Sequence, residues 1–172
     1  MRTLYLFRHA KASEGAGGPG DHERPLTEAG VAAARAVGAA LKAGGHDLGF
    51  VLSSTARRAA ETYENVAHAY SGLGATFDRA VYEGDARKLL QRVQTFPDTA
   101  ATATVFGHNP AHHDLAVLLA THGAPKQIQQ LAHSVPPGSV ARIDFDVARW
   151  EHIAAELGTL ALLLRPQDLV GA

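Results

Sequence analysis

Apolar residues recur along this chain with two different periods. Thr3 to Phe7 is a short apolar run with aromatics and predicts a buried strand. Thr27 to Lys42 places Val31, Ala34, Val37 and Leu41 at spacings of three and four, which predicts an amphipathic helix. Thr27 would cap its start, and Gly44 lies just past its end. Phe50 to Ser53 predicts a second strand, and Ala56 to Tyr70 a second helix capped by Ser54 or Thr55. Ala75 to Val81 is expected to be a short strand. Ala86 to Phe96 is expected to be a helix closed by Pro97. Ala101 to Phe106 predicts another strand, and Ala111 to Thr121 a helix opening after Pro110. Ser139 to Phe145 and Thr159 to Leu164 complete the strands.

Strands alternating with helices predict an α/β fold, a three-layer α/β/α sandwich around a mostly parallel sheet. The last two strands have no clear long helix between them, so the sheet is expected to be mixed. The length, 172 residues, predicts a single domain over 1–172, with no linker or internal repeat. Glu14 to Arg24 is rich in Gly, Pro and charge and predicts an exposed loop. Gly15 to Gly20 matches Gly-x-Gly-x-x-Gly, but Pro19 opposes the helix that a dinucleotide fingerprint requires. That stretch is expected instead at the mouth of a site.

Composition narrows the chemistry. Hydrophobic residues make up 46% and charged residues 19%, as in ordinary folded proteins. Sixteen Lys and Arg against 17 Asp and Glu leave a net charge of −1, which predicts neither nucleic-acid nor membrane-surface binding. Cys is absent, which removes thiol nucleophiles and Cys-based metal sites together. Leu4 to Phe7 is only four residues long, short of the ~7–15 apolar residues of a signal peptide. Leu160 to Leu164 is far short of the ~20 that span a bilayer. A cytoplasmic protein is expected.

In α/β folds, ligands lie outside the carboxyl ends of the strands. Three of the predicted strand ends are polar: Arg8-His9, Ser53-Ser54 leading to Arg57-Arg58, and Gly107-His108-Asn109. Arg8 and His9 would point to opposite faces of a regular strand, so both reach one site only if the chain leaves the strand there. Helix N–H groups after Pro110 would offer an anion site beside His108. Ser54, Arg58 and Thr62 are spaced by four and share a helical face, while Arg57 and Glu61 form a separate pair. Spacing alone does not say which Arg faces the pocket. His108, His112, His113 and Asp114 have metal-ligand spacing but lack the Glu of His-Glu-x-x-His, so no metal is expected. His22, His46, His68, His122, His133 and His152 are expected to be solvated.

Arg8-His9-Ala10, the Ser54–Arg58–Thr62 spacing and Gly107-His108-Asn109-Pro110 together resemble the histidine phosphatase (phosphoglycerate-mutase-like) superfamily. Arg8-His9-Ala10-Lys11, Arg24-Pro25-Leu26-Thr27, Tyr82-Glu83, Trp150-x-x-Ile153 and Arg165-Pro166 are similar to its short SixA-type phosphohistidine phosphatases. The resemblance runs over about residues 1–169 and selects Arg58 over Arg57. Two positions depart from the wider pattern: Ala10 stands where Gly is usual, and Ser54-Thr55 where Ser-Pro is common.

The resemblance implies a phosphatase with His9 as nucleophile and a phosphohistidine intermediate. Arg8, Arg58 and His108 would bind the phosphoryl oxygens, and no metal or other cofactor is implied. Asn109, Lys11 and Arg24 are further candidates for substrate binding. Glu83 is the candidate acid for a leaving alkoxide, set against an ordinary surface carboxylate. The expected partner is a phosphorylated protein, with phosphohistidine in a signalling protein as the substrate. The alternatives are a small-molecule phosphomonoesterase or mutase and a non-enzymatic phosphoprotein-binding module.

Overall fold

The structure is a computed structural model that describes residues 1–15 and 20–170. Residues 16–19, the middle of the glycine-rich stretch expected at the site mouth, lie outside the described residues.

Seven strands form one sheet: β1 (Arg2–Arg8), β2 (Phe50–Ser54), β3 (Ala75–Asp78), β4 (Thr102–Gly107), β5 (Ala120–Gly123), β6 (Val140–Phe145) and β7 (Gly158–Leu164). Their order is β3-β2-β4-β1-β6-β7-β5. Only β6 runs against the others, pairing antiparallel with β1 and with β7. The fold is thus the expected α/β sandwich with a mixed sheet.

Side chains along β1 alternate between two cores. Leu4 and Leu6 join one apolar cluster, and Tyr5 and Phe7 the other. This is the period-two alternation of a strand buried on both faces. Helices α1 (Glu28–Ala43) and α2 (Arg57–Ala67) cover the Tyr5/Phe7 face through Ala34, Val37, Leu41 and Val66. On the other face, α4 (Ala86–Val93), α5 (Ala111–Leu119) and α6 (Pro125–His133) contribute Leu89, Val93, Leu115, Leu119 and Leu131. Thr27 caps α1 as expected, its hydroxyl accepting from Gly30 N at 3.0 Å.

Several local expectations are corrected. The helix after β2 is capped by Ala56 without a side-chain bond, and it ends at Ala67 rather than Tyr70. Ser54 instead accepts from Ala56 N at 3.1 Å, inside the connecting turn. The strand from Ala75 stops at Asp78, and a short helix α3 (Arg79–Glu83) follows because the Asp78 carboxylate caps it. The helix from Ala111 ends at Leu119. Ala120 to Gly123 leaves it to pair with β7 at the sheet edge, where tertiary pairing overrides helix propensity. Helix α6 was not expected: it buries only Leu131 fully, so its apolar stripe is thin. Among the described residues, no helix is long and apolar enough to cross a membrane.

Candidate active site

The sheet order decides where the motifs meet. β2, β4 and β1 are consecutive parallel neighbours, with Arg8 opposite Gly107 and Ser53 opposite Phe106. Neighbouring strands lie about 4.8 Å apart, so the three polar strand ends fall within about 10 Å. Sequence positions near 9, 54 and 108 thus become adjacent.

His9 follows the last residue of β1, and its N–H bonds to the Gly107 carbonyl at 2.9 Å. The chain leaves the strand at this point, as a shared Arg8–His9 site requires. Gly138 supports the departure, donating its N–H to the carbonyls of Arg8 and His9 from a backbone with φ +81°. Ala10 is buried and donates its N–H to Thr62 Oγ1 at 2.9 Å. Thr62 in turn donates to the Arg58 carbonyl at 2.6 Å. One buried hydroxyl therefore ties the His9 loop to the helix that carries Arg58.

His9 Nδ1 lies 2.7 Å from the Ala10 carbonyl. A carbonyl only accepts, so Nδ1 carries the proton and Nε2 keeps its lone pair. Burial pushes the imidazole down to about 4. The Ala10 bond opposes that shift, and the charges of Arg58, Arg8 and Arg24 add to it. Desolvation therefore outweighs like-charge repulsion from the arginines as the cause.

His108 is buried, and its ring centroid lies 5.3 Å from that of His9. Its Nε2 bonds with Ser54 Oγ at 2.7 Å, and its Nδ1 has no partner among the described residues. Burial, then Arg58, His9 and His112, hold it down at about 2. Gly107 precedes it for a steric reason: a Cβ there would sit 2.2 Å from the His112 ring. His112 is itself buried and directs Nε2 at the Val105 carbonyl.

The two arginines are fixed differently. Arg8 donates Nη1 to the Val135 carbonyl at 2.7 Å. Arg58, buried on α2, donates Nη1 to the Asp21 carbonyl at 2.6 Å and Nη2 to the Asp21 carboxylate at 3.0 Å. The Nε of each guanidinium has no partner among the described residues. Arg57 points elsewhere, into an exposed pair with Glu61 at 2.7 Å.

The remaining candidates are placed unequally. Asn109 donates to the Val135 carbonyl at 3.3 Å, the same carbonyl that holds Arg8, and its buried Oδ1 has no partner among the described residues. Arg24 bonds to Asp21 at 3.0 Å and to the Ser13 carbonyl at 3.1 Å, and its charge reaches His9. Lys11 is exposed, and its part in the local structure is a main-chain carbonyl accepting from Thr27 N. Glu83 is not brought into the cluster. It is 57% exposed and held by Arg79 at 2.7 Å, because residues 79 and 83 are one helical turn apart on α3.

The sequence reading missed the carboxylate that is present, Asp21 in the short 3-10 turn Asp21–Glu23. The Tyr82 hydroxyl also donates to it, at 2.9 Å. An Asp three residues before Arg24 was the available signal. His22 was expected to be solvated, but it bonds Thr55 Oγ1 at 2.9 Å and packs edge-on against Tyr82. His46 likewise bonds the Tyr5 hydroxyl at 2.8 Å, because Tyr5 is buried and needs a polar partner.

A half-buried imidazole, His9, and a buried one, His108, beside two guanidiniums define a site for phosphoryl chemistry, and comparison with known proteins gives the same class. Residues 4–103 match the model of the histidine phosphatase superfamily (branch 1), so the chain belongs to that superfamily and is a phosphohydrolase. The uncharacterized protein ML1117 of Mycobacterium leprae is 28% identical over 167 residues, covering 94% of this chain and all of that one. A structure from Nakamurella multipartitia, assigned as a SixA phosphohistidine phosphatase, superposes with TM-score 0.81 at 28% identity, covering 96% of each chain. One from Agrobacterium tumefaciens with the same assignment gives TM-score 0.77 at 25% identity, covering 96% of this chain and 98% of that one.

Proposed function

We propose that this phosphohydrolase is a metal-independent phosphohistidine phosphatase that works through a phosphorylated His9. One observation carries the reading: His9 gives its Nδ1 proton to the Ala10 carbonyl at 2.7 Å, in a setting that holds the ring near pKa 4. Its Nε2 is therefore a neutral nucleophile throughout the physiological range. The lone pair attacks phosphorus, the bond to the leaving group breaks, and its electrons depart with that group. Arg8, Arg58 and His108 hold the phosphoryl oxygens; the two arginines bring fixed positive charge and neutral His108 an N–H, which together stabilise the charge that spreads over them. Asn109 and Arg24 complete the surroundings. Water then attacks phosphorus, releasing phosphate and restoring His9.

The phosphohistidine substrate follows from the leaving group. A phosphorylated imidazole departs without a strong acid, and the one carboxyl once expected as an acid, Glu83, is paired to Arg79. The structural likeness to proteins assigned as phosphohistidine phosphatases supports the same substrate class. Rapid quenching with a radiolabelled phosphohistidine protein tests the mechanism. An acid-labile, base-stable label on His9 is expected. A label on another residue, or turnover that chelators abolish, would overturn it.

A further inference from the structure

The carboxylate bonded to Arg58 has no part in the mechanism above. Asp21 Oδ2 accepts from Arg58 Nη2 at 3.0 Å and from the Tyr82 hydroxyl at 2.9 Å. Its Oδ1 accepts from Arg24 Nε at 3.0 Å. Even so, the side chain is 53% exposed, so it stays open to an arriving molecule. Tyr82 packs its ring against His108 at 5.6 Å and against His22 at 5.0 Å, which sets the carboxylate beside the inner histidine pair.

Holding Arg58 does not require a charge here. The Asp21 main-chain carbonyl already accepts from Nη1 at 2.6 Å, the shorter of the two bonds. A fixed negative charge in a phosphate pocket opposes the incoming anion. It helps only if the substrate brings a hydrogen-bond donor or a cation with it.

We propose that Asp21 determines specificity by receiving the N–H of a phosphorylated imidazole and by disfavouring alkyl phosphoesters. This rests on the phosphohistidine reading above. In the transfer, His9 Nε2 forms a bond to phosphorus, and the bond from phosphorus to the substrate nitrogen breaks. That nitrogen keeps the electron pair. When the other ring nitrogen already carries a proton, the group departs as neutral imidazole and no proton moves. A carboxylate accepting from that N–H favours this protonated form. In an alkyl phosphoester, the departing oxygen takes the electron pair and needs a proton. Asp21 has none to give at neutral pH. Burial would raise it, but the bonds from Tyr82 and Arg58 and the charges of Arg58 and Arg24 outweigh that and hold it at about 2.

Asp21→Asn keeps the shape and an acceptor oxygen for Arg58 while removing the charge. The measurement is kcat/KM on two peptides of one sequence, carrying phosphohistidine or phosphoserine. The phosphohistidine-to-phosphoserine ratio is expected to fall about tenfold or more, as for loss of a charged hydrogen bond. A parallel fall on both substrates overturns the proposal and leaves Asp21 as a support for Arg58. Inhibition by inorganic phosphate, measured on the same variant, reports whether the pocket and Arg58 are intact. Tyr82→Phe is the second variant: it removes one donor from Oδ2 and leaves the charge, so the ratio should hold or rise. A fall there counts against the proposal even if Asp21→Asn does not fold. A wild-type enzyme that turns over phosphoserine as well as phosphohistidine overturns the substrate reading together with this one. A wild-type preference that survives Asp21→Asn overturns the Asp21 assignment alone.

Discussion

The floor of the site and its mouth are built by different means. On the floor, main-chain bonds set His9, which hangs on Gly107 and Ala10, while Gly138 holds the turn. At the mouth, Asp21, Arg24, His22 and Tyr82 are set largely by one another's side chains. The floor is buried at Ala10, Arg58 and His108 and half-buried at His9, while Asp21 at the mouth is half open. Groups that carry out one reaction on every substrate benefit from rigid main-chain support. Groups that meet the variable part of a substrate are carried on an exposed turn, where loops generally place recognition.

Substitutions on the floor should therefore cost catalysis itself. His9→Ala is expected to lower kcat by about 10⁴-fold or more on every phosphosubstrate, as for loss of a covalent nucleophile. Steady-state turnover checks this, and activity near the wild-type level would break the distinction at once. Arg58→Ala should lower kcat/KM by about 10²–10³-fold. Arg58→Lys should recover only part of that, because a lysine lacks the planar fork.

Thr62→Val tests the link between loop and helix. It leaves the Ala10 N–H and the Arg58 carbonyl without their side-chain partner in a fully buried place. The expected loss is about 1–3 kcal/mol in denaturant unfolding. A drop in kcat should accompany it, because His9 loses its anchor.

Acid should reveal the floor next. Burial holds His9 at about 4 from an ordinary 6.5, His112 at about 4 and His108 at about 2. Between about pH 6.5 and 4 the unfolded chain binds protons on these rings that the native chain refuses. Stability is therefore complete above pH 6.5 and falls as the pH drops through that window. With His9 as the proposed nucleophile, activity should stay level from pH 7 to about 5, then fall near 4. Thermal melts and kcat profiles against pH check the two curves separately. His112→Gln should flatten part of the stability curve and leave the position of the activity limb unchanged.

The smallest effect is expected outside the mouth. Glu83→Gln breaks one exposed ion pair with Arg79, and a pair so open to solvent contributes little to stability. Turnover of phosphohistidine should change less than about twofold, within the range for surface substitutions. A large, selective loss on phosphoesters would instead restore Glu83 as the acid and sharpen what the mouth contributes.

The sequence by itself determined the floor. Alternation along Thr3 to Phe7, the helix phase of Val31, Ala34, Val37 and Leu41, and the three polar strand ends were all legible. Each depends on local periodicity or on residue chemistry, and both are written along the chain. Helix α6, strand β5 and the placing of Asp21 on Arg58 and of Glu83 on Arg79 were decided only by tertiary structure. α6 has too thin an apolar stripe to declare itself, and β5 exists because β7 offers it an open edge. Asp21 reaches Arg58 across 37 residues of chain, and its local spacing from Arg24 does not reveal that distant partner. A carboxylate's role is set by which cation lies beside it, and that neighbour is chosen by the folded sheet.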